Sequence, residues 1–246
     1  MSACNVWSWY VLLLVSSLPL FITGCRDQGR GYKDTIESDR PTAAKNLLSG
    51  ISNDNVGELK WINPPEKFEL HDGTLTITAE NETDFFINPV DLTSTASAHL
   101  LYKKISGDFV AITAVKPDMS SQWNAAALMA VIDDTHWIKF GFENSDATGP
   151  GIVTVVTKNT SDDANGPILK NTDRIWLKLV RKDHNFSMHW SYDGNSYYMA
   201  RLAAMPEADS VIVGIEAQCP VGSEAVHSFE HFSIEPVRVE DIRKGE

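Results

Sequence analysis

The chain reads as an all-β protein, a sandwich of two packed antiparallel sheets, and three observations predict it. From Leu59 onward, short runs rich in Val, Ile, Thr and aromatic residues recur at intervals of roughly 8 to 12 residues, separated by turn signals. Several of these runs alternate apolar and polar residues with the two-residue period of a strand. No segment of convincing length carries the helical period of 3.6 residues.

Taken in order, residues Val11 to Thr23 are almost wholly apolar and end in Gly24-Cys25. That run is shorter than the about 20 residues a membrane-spanning helix needs, so 1–24 reads as a secretory signal. The tetrad Ile22-Thr23-Gly24-Cys25 resembles the bacterial lipobox, although the segment before the apolar run has no Lys or Arg. The resemblance implies a diacylglycerol on Cys25, membrane attachment through it, and a place in the bacterial cell envelope, at the outer membrane. Residues 25–58 are polar and charged, with Gly29, Gly31, Pro41 and Ser49, and read as a linker. Thr42 is placed to cap a short helix through Leu48.

The sandwich is expected over 59–236. In Trp137 to Glu143, alternation sends Ile138, Phe140 and Phe142 to the core and Trp137, Lys139, Gly141 and Glu143 to the other face. Phe186, Met188, Trp190 and Tyr192 repeat the pattern, followed by Asp193-Gly194, a signal for a two-residue hairpin leading to Tyr197–Leu202. Val211, Val213, Ile215 and Ala217 form a third inward stripe. Residues 237–246 read as a polar tail.

The length of 246 residues suits one core, because all-β sandwiches often use 200 residues without dividing. The net charge of −12, from 33 acidic against 21 basic residues, excludes nucleic acid as a partner, since phosphate neutralisation needs a basic patch. With Cys4 removed with the signal and Cys25 lipidated, Cys219 stands alone and reads as a small buried apolar residue.

From Trp61 to Pro236 a series of short segments appears in order. These are Trp61 with Asn63-Pro64-Pro65, Thr83-Asp84-Phe85-Phe86, Ser106-Gly107-Asp108-Phe109, and Ala127-Leu128-Met129 leading to Ile132-Asp133. Trp137-Ile138-Lys139, Ser191-Tyr192-Asp193-Gly194, Ala217-Gln218-Cys219-Pro220 and Phe229-Glu230-His231-Phe232 follow. In this order they resemble the branch of the concanavalin A-like lectin and glucanase superfamily that includes the "regulation of enolase" proteins. The resemblance implies a concanavalin A-like jelly-roll of two antiparallel sheets, one of them concave. Three positions depart from the family pattern: Phe86 replaces a tryptophan, Val131 an arginine, and Asp163 an aromatic.

Glucanases of this superfamily carry Glu-x-Asp-x-x-Glu on one strand, and no such string occurs here. The best outward pair of carboxylates is Glu143 with Glu216, expected on neighbouring strands, because glycoside hydrolysis needs two carboxyls about 5 to 9.5 Å apart. Trp123 and Asn124 together offer an aromatic platform and an amide for a sugar, with Trp137 and Lys139 outward on the next strand. Trp61, Trp176 and Trp190 are assigned to packing. His227 and His231 are about 13 Å apart if extended, too far to share an ion, and Asp133-Asp134 and Asp162-Asp163 lack the spaced ligands of a Ca²⁺ loop. No metal and no cofactor are expected.

The sequence therefore reads as a lipid-anchored, extracytoplasmic binding module for glycan, with Trp123, Asn124, Trp137, Lys139, Glu143 and Glu216 as its ligand-facing residues. Two other readings stand beside it: a glycoside hydrolase with an atypical carboxylate pair, and a protein-interaction domain.

Overall fold

The computed structural model describes residues 44–246. The lipobox, Cys25 and Thr42 lie outside the described residues. Two seven-stranded antiparallel sheets face one another. The first runs β1 (Lys60–Ile62), β6 (His99–Ser106), β15 (Ser210–Gln218), β8 (Ala125–Asp133), β9 (His136–Ser145), β10 (Gly149–Lys158) and β11 (Thr160–Ile168). The second runs β14 (Tyr198–Ala204), β13 (Asn185–Ser191), β12 (Ile175–Lys182), β7 (Phe109–Lys116), β16 (Glu224–Glu235), β3 (Thr74–Glu80) and β2 (Lys67–His71). The expected jelly-roll sandwich is thus the observed one.

Alternation explains the core. Ile138, Phe140 and Phe142 of β9 and the stripe from Val211 to Ala217 of β15 meet Leu177 and Leu179 of β12 and Phe186 and Met188 of β13 between the sheets. Alternate residues of the central strands enter this layer and are removed from water, which is the main source of stability in such a fold. Cys219 lies in it as expected, fully buried and free. Trp190 closes one end of the core, and Trp61 packs on its margin against Phe68. Trp176 instead lies on the outer face of the second sheet, against His231 and Arg174.

Two local expectations are corrected. Asp193-Gly194 does not close a two-residue hairpin: β13 ends at Ser191 and β14 begins at Tyr198. The Asp193 carboxylate accepts from Ser191 Oγ and from the amides of Asn195 and Ser196, building a longer loop. Gly194 is required there, because its φ of +77° is left-handed and a Cβ would lie 2.8 Å from the Trp176 ring. Second, the segment read as the end of a linker is packed. A 3₁₀ turn at Leu47–Gly50 is capped by Asn46, whose Oδ1 accepts from Leu48 N and also from Phe232 N of β16. Leu47, Leu48 and Ile51 join the main core, and at the other end of the chain Val239 is buried as well.

A separate two-stranded hairpin, β4 (Phe85–Ile87) with β5 (Ser94–Ala96), lies over the outer face of the first sheet. Phe85 and Ile87 pack on Leu100, Met129 and Trp137, forming a second, smaller apolar cluster. Ile87 N donates to Ser161 Oγ of β11, so the hairpin reaches the sheet's far edge. This cover turns an outward sheet face into an interior.

Because Leu48 is fully buried, Leu48→Ala is expected to lower unfolding stability by about 2 to 5 kcal/mol, read by chemical denaturation. A loss below about 0.5 kcal/mol would show that the 44–51 segment is not part of the domain.

Candidate functional site

The hairpin covers only part of the outer face. Beside it opens a pocket of about 350 Å³. Phe86 and Asn88 of the hairpin form one wall, and Val153 and Val155 of β10 with Asp163 and Asn165 of β11 form another. Lys139, Glu143, Ser145 and Asp146 line it from β9 and the turn after it, Gln218 from β15, and Trp123 from the loop before β8.

Register explains how these side chains meet. Glu143 is opposite Ala125, which is opposite Gln218, while Gly141 is opposite Ala127, which is opposite Glu216. Since alternation puts all six on the outer face, the small Ala125, Ala127 and Gly141 leave room between the larger ones. A Cβ on Gly141 would stand 3.2 Å from that of Ala127. Into this room reaches Lys139, whose Nζ donates to Asp84 Oδ1 at 2.7 Å and to Gln218 Oε1 at 2.6 Å. Gln218 Nε2 in turn donates to the Trp123 carbonyl at 2.7 Å. One chain of contacts therefore ties the hairpin, β9, β15 and the Trp123 loop together.

Lys139 is only 4 % exposed. Burial alone would depress its pKa, but the carboxylate of Asp84, with Glu216 and Glu143 nearby, outweighs burial and raises it, so the ammonium stays charged. The two glutamates go the other way. Burial pushes the Glu143 carboxyl up to about 7, partly offset by Lys139. Burial pushes Glu216 up to about 8, and both of its oxygens lack a hydrogen-bond partner, so at neutral pH it is held as the uncharged acid.

The sequence-expected residues separate accordingly. Trp123, 37 % exposed, Lys139 and Glu143 come together in the pocket. Trp123 adopts a left-handed φ of +60°, rare for a residue with a Cβ, and is held by its N–H to the Asn144 carbonyl as well as by Gln218. Trp137 shares the expected face but is 2 % exposed and packs edge-on against Phe85 beneath the hairpin, so it presents no platform. Asn124 is fully buried, with neither amide atom partnered. Glu216 is fully buried, and it is not on a strand adjacent to Glu143, because β8 runs between β9 and β15. That removes Glu143 with Glu216 as a solvent-accessible hydrolytic pair. Among the described residues no cluster of His, Cys, Asp and Glu could hold a metal ion.

Asp84 and Gln218 were not among the expected site residues, though both stand in segments that carry the resemblance. Their signal was a charged or amide residue beside apolar strand residues, Asp84-Phe85 and Ala217-Gln218. Two of the departures from the family pattern, Phe86 and Asp163, line the pocket, and the third, Val131, packs into the small apolar cluster.

The curated relative "Regulation of enolase protein 1" of Saccharomyces cerevisiae is 26 % identical over 182 residues, covering 74 % of this chain and 91 % of that protein. A solved structure of a functionally unknown protein from the same yeast is similar at a TM-score of 0.68 with 26 % identity, covering 72 % of this chain and 96 % of that one. The GH43 protein BlXynB of Bacillus licheniformis shares the fold at a TM-score of 0.61 with 13 % identity, covering 78 % of this chain but 39 % of that one. These likenesses overturn the expected bacterial outer-membrane location, since the relatives at 26 % identity come from yeast, which has no bacterial envelope. Among the described residues no helix is long and apolar enough to cross a membrane.

The buried acids set the pH dependence of stability. A carboxyl whose folded pKa is raised contributes stability that is complete below its unfolded value and is lost as pH rises through the folded one. For Glu143 and Glu216 that window runs from about 4.5 to about 7 and 8. His227 and His189 act oppositely between about 4 and 6.5, because burial lowers their pKa values to about 4 and stability is gained as pH rises through that range. From pH 4.5 to 6.5 these effects oppose one another, with His231, also lowered by burial, on the histidine side, and stability is expected to fall from 6.5 to 8, by about 1.4 kcal/mol per pH unit for each proton released. Glu216→Gln should reduce that fall, measured by urea denaturation across the range; an unchanged slope contradicts the burial of a neutral acid. From Trp61 through Val237 the chain matches the family described as "Protein of unknown function (DUF1349)", and it belongs to that family.

Proposed function

We propose that the pocket beside the β4–β5 hairpin binds a glycan and that the protein acts as a carbohydrate-binding module. The observation that carries this reading is the pairing of a half-exposed aromatic ring with polar groups around one cavity. Trp123 and Phe86 offer apolar faces, while Asn88, Asn165 and Glu143 offer hydrogen-bonding groups. A sugar ring has both an apolar face of C–H groups and a rim of hydroxyls, so it needs this combination. Support from the fold is weaker in kind. BlXynB is a GH43 protein, and GH43 names a class of glycoside hydrolases, but a shared sandwich does not by itself transfer an activity.

Hydrolysis is the second reading, favoured by one observation. Asp84 and Glu143 both line the pocket, and Glu143, pushed up to about 7, has the protonation suited to a general acid. Binding is preferred because Asp84 is already committed to Lys139 and to its own neighbour's amide, Phe85 N.

Titration of the protein with neutral xylo-, cello- and N-acetylglucosamine trimers tests the reading. Wild type is expected to bind at least one of them, and Trp123→Ala to weaken that binding roughly 10- to 100-fold, the effect of losing about 1 to 3 kcal/mol of aromatic contact. The melting temperature should change little, because the ring is already 37 % exposed. A stability loss of the size of a core tryptophan, about 3 to 5 kcal/mol, would instead assign Trp123 to packing. Release of reducing ends, abolished by Glu143→Gln, would replace binding by hydrolysis.

A further inference from the structure

We infer that the pocket selects a sugar bearing a free, positively charged amine over its acetylated and acidic counterparts. This rests on the glycan-binding reading above and specifies its ligand. Four carboxyl side chains line the cavity, those of Asp84, Glu143, Asp146 and Asp163, against one cation, Lys139. That cation is not available to a ligand. It is 4 % exposed, and its ammonium donates to Asp84 and Gln218. Apart from that occupied ammonium, the ionisable groups an anionic sugar meets in the cavity are all acidic.

Glu143 supplies an independent observation. Its side chain lines the cavity, the residue is 8 % exposed, and its carboxyl has no hydrogen-bond partner among the described residues. Lining the cavity without a protein partner, that carboxyl is free to hydrogen-bond a group placed there. The charged groups acting on it are Lys139 on its own strand, Asp84 at the start of the hairpin, Asp163 on β11 and Asp146 in the following turn, with Glu216 on β15 beyond Ala127. All but one are acidic. An ammonium placed beside Glu143 meets a hydrogen-bond acceptor and favours ionisation of the carboxyl. The faces of Trp123 and Phe86 on the same cavity add the attraction of aromatic rings for cations. Asn88 and Asn165 remain for hydroxyls.

The test is calorimetric titration of the full chain at pH 6.5 with three probes: the glucosamine trimer, the tri-N-acetylglucosamine trimer and trigalacturonate. The glucosamine trimer should bind at least 10-fold more tightly than the acetylated one, and trigalacturonate should not bind. Its binding should release a proton, seen as a dependence of the heat on the ionisation enthalpy of the buffer, and should weaken as salt is raised. Glu143→Gln should cut the preference for the free amine to below about 3-fold. Asp163→Asn, on an exposed edge strand where folding is not at stake, should reduce it in the same direction. Equal or tighter binding of the acetylated or acidic trimer overturns the inference while leaving a glycan pocket in place. Failure of all three, together with the neutral xylo- and cello-trimers, overturns the glycan reading itself.

Discussion

The buried ammonium of Lys139 is the constraint on which the outer face depends. A lone ammonium at 4 % exposure would be prohibitively costly, so it must be met by an anion and a fixed acceptor. Asp84 provides the first from the segment that begins the β4–β5 hairpin, and Gln218 the second from the end of β15. Because the two partners come from places 134 residues apart in the chain, the contact fixes where the hairpin lies on the sheet. Phe85 and Ile87 then cover Trp137 and Met129, and that cover in turn keeps the ammonium dry.

The same constraint forms the pocket. Gln218, held by Lys139 through its oxygen, uses its nitrogen to hold the Trp123 carbonyl, and so stabilises a left-handed tryptophan that the chain would otherwise avoid. Backbone strain of this kind persists only where surrounding contacts over-determine it, and here it turns the indole toward the cavity margin. The glutamates report the electrostatic balance. Lys139 is one charge among three nearby carboxyls, so Asp84 takes the direct contact and Glu143 and Glu216 are driven toward neutrality by burial.

Much of the sandwich was legible because alternation is a local signal. Ile138, Phe140 and Phe142, and the stripe from Val211 to Ala217, could be assigned to the core from their spacing alone, since a strand in a two-layer fold buries one face. The other face was misjudged for a physical reason. Trp137, Lys139, Glu143 and Glu216 do point away from the core, but whether that direction means water depends on a hairpin some 50 residues or more away, whose position is set by a contact no periodicity reveals. The packed segment around Leu48 escaped for a similar reason: two leucines and an isoleucine in a polar stretch look like a linker until Asn46 is seen bridging Leu48 N and Phe232 N. Trp123 lies at the surface, 37 % exposed, but its left-handed backbone and its anchors, Asn144 and Gln218, were invisible in sequence. Fold is common to this chain, the yeast protein and BlXynB, so fold alone does not say what the cavity holds.

The central claim is that one buried ammonium pairs with Asp84 while burial raises the pKa values of the two neighbouring glutamates, Glu143 and Glu216. Site-resolved NMR titration of the glutamate side-chain carboxyl carbons measures this directly, with Glu143→Gln and Glu216→Gln assigning the two resonances. The account predicts midpoints near 7 for Glu143 and near 8 for Glu216, far above the exposed glutamates. Midpoints for both near 4.5 would mean that water reaches this face and that the dry, hairpin-covered site described here does not exist.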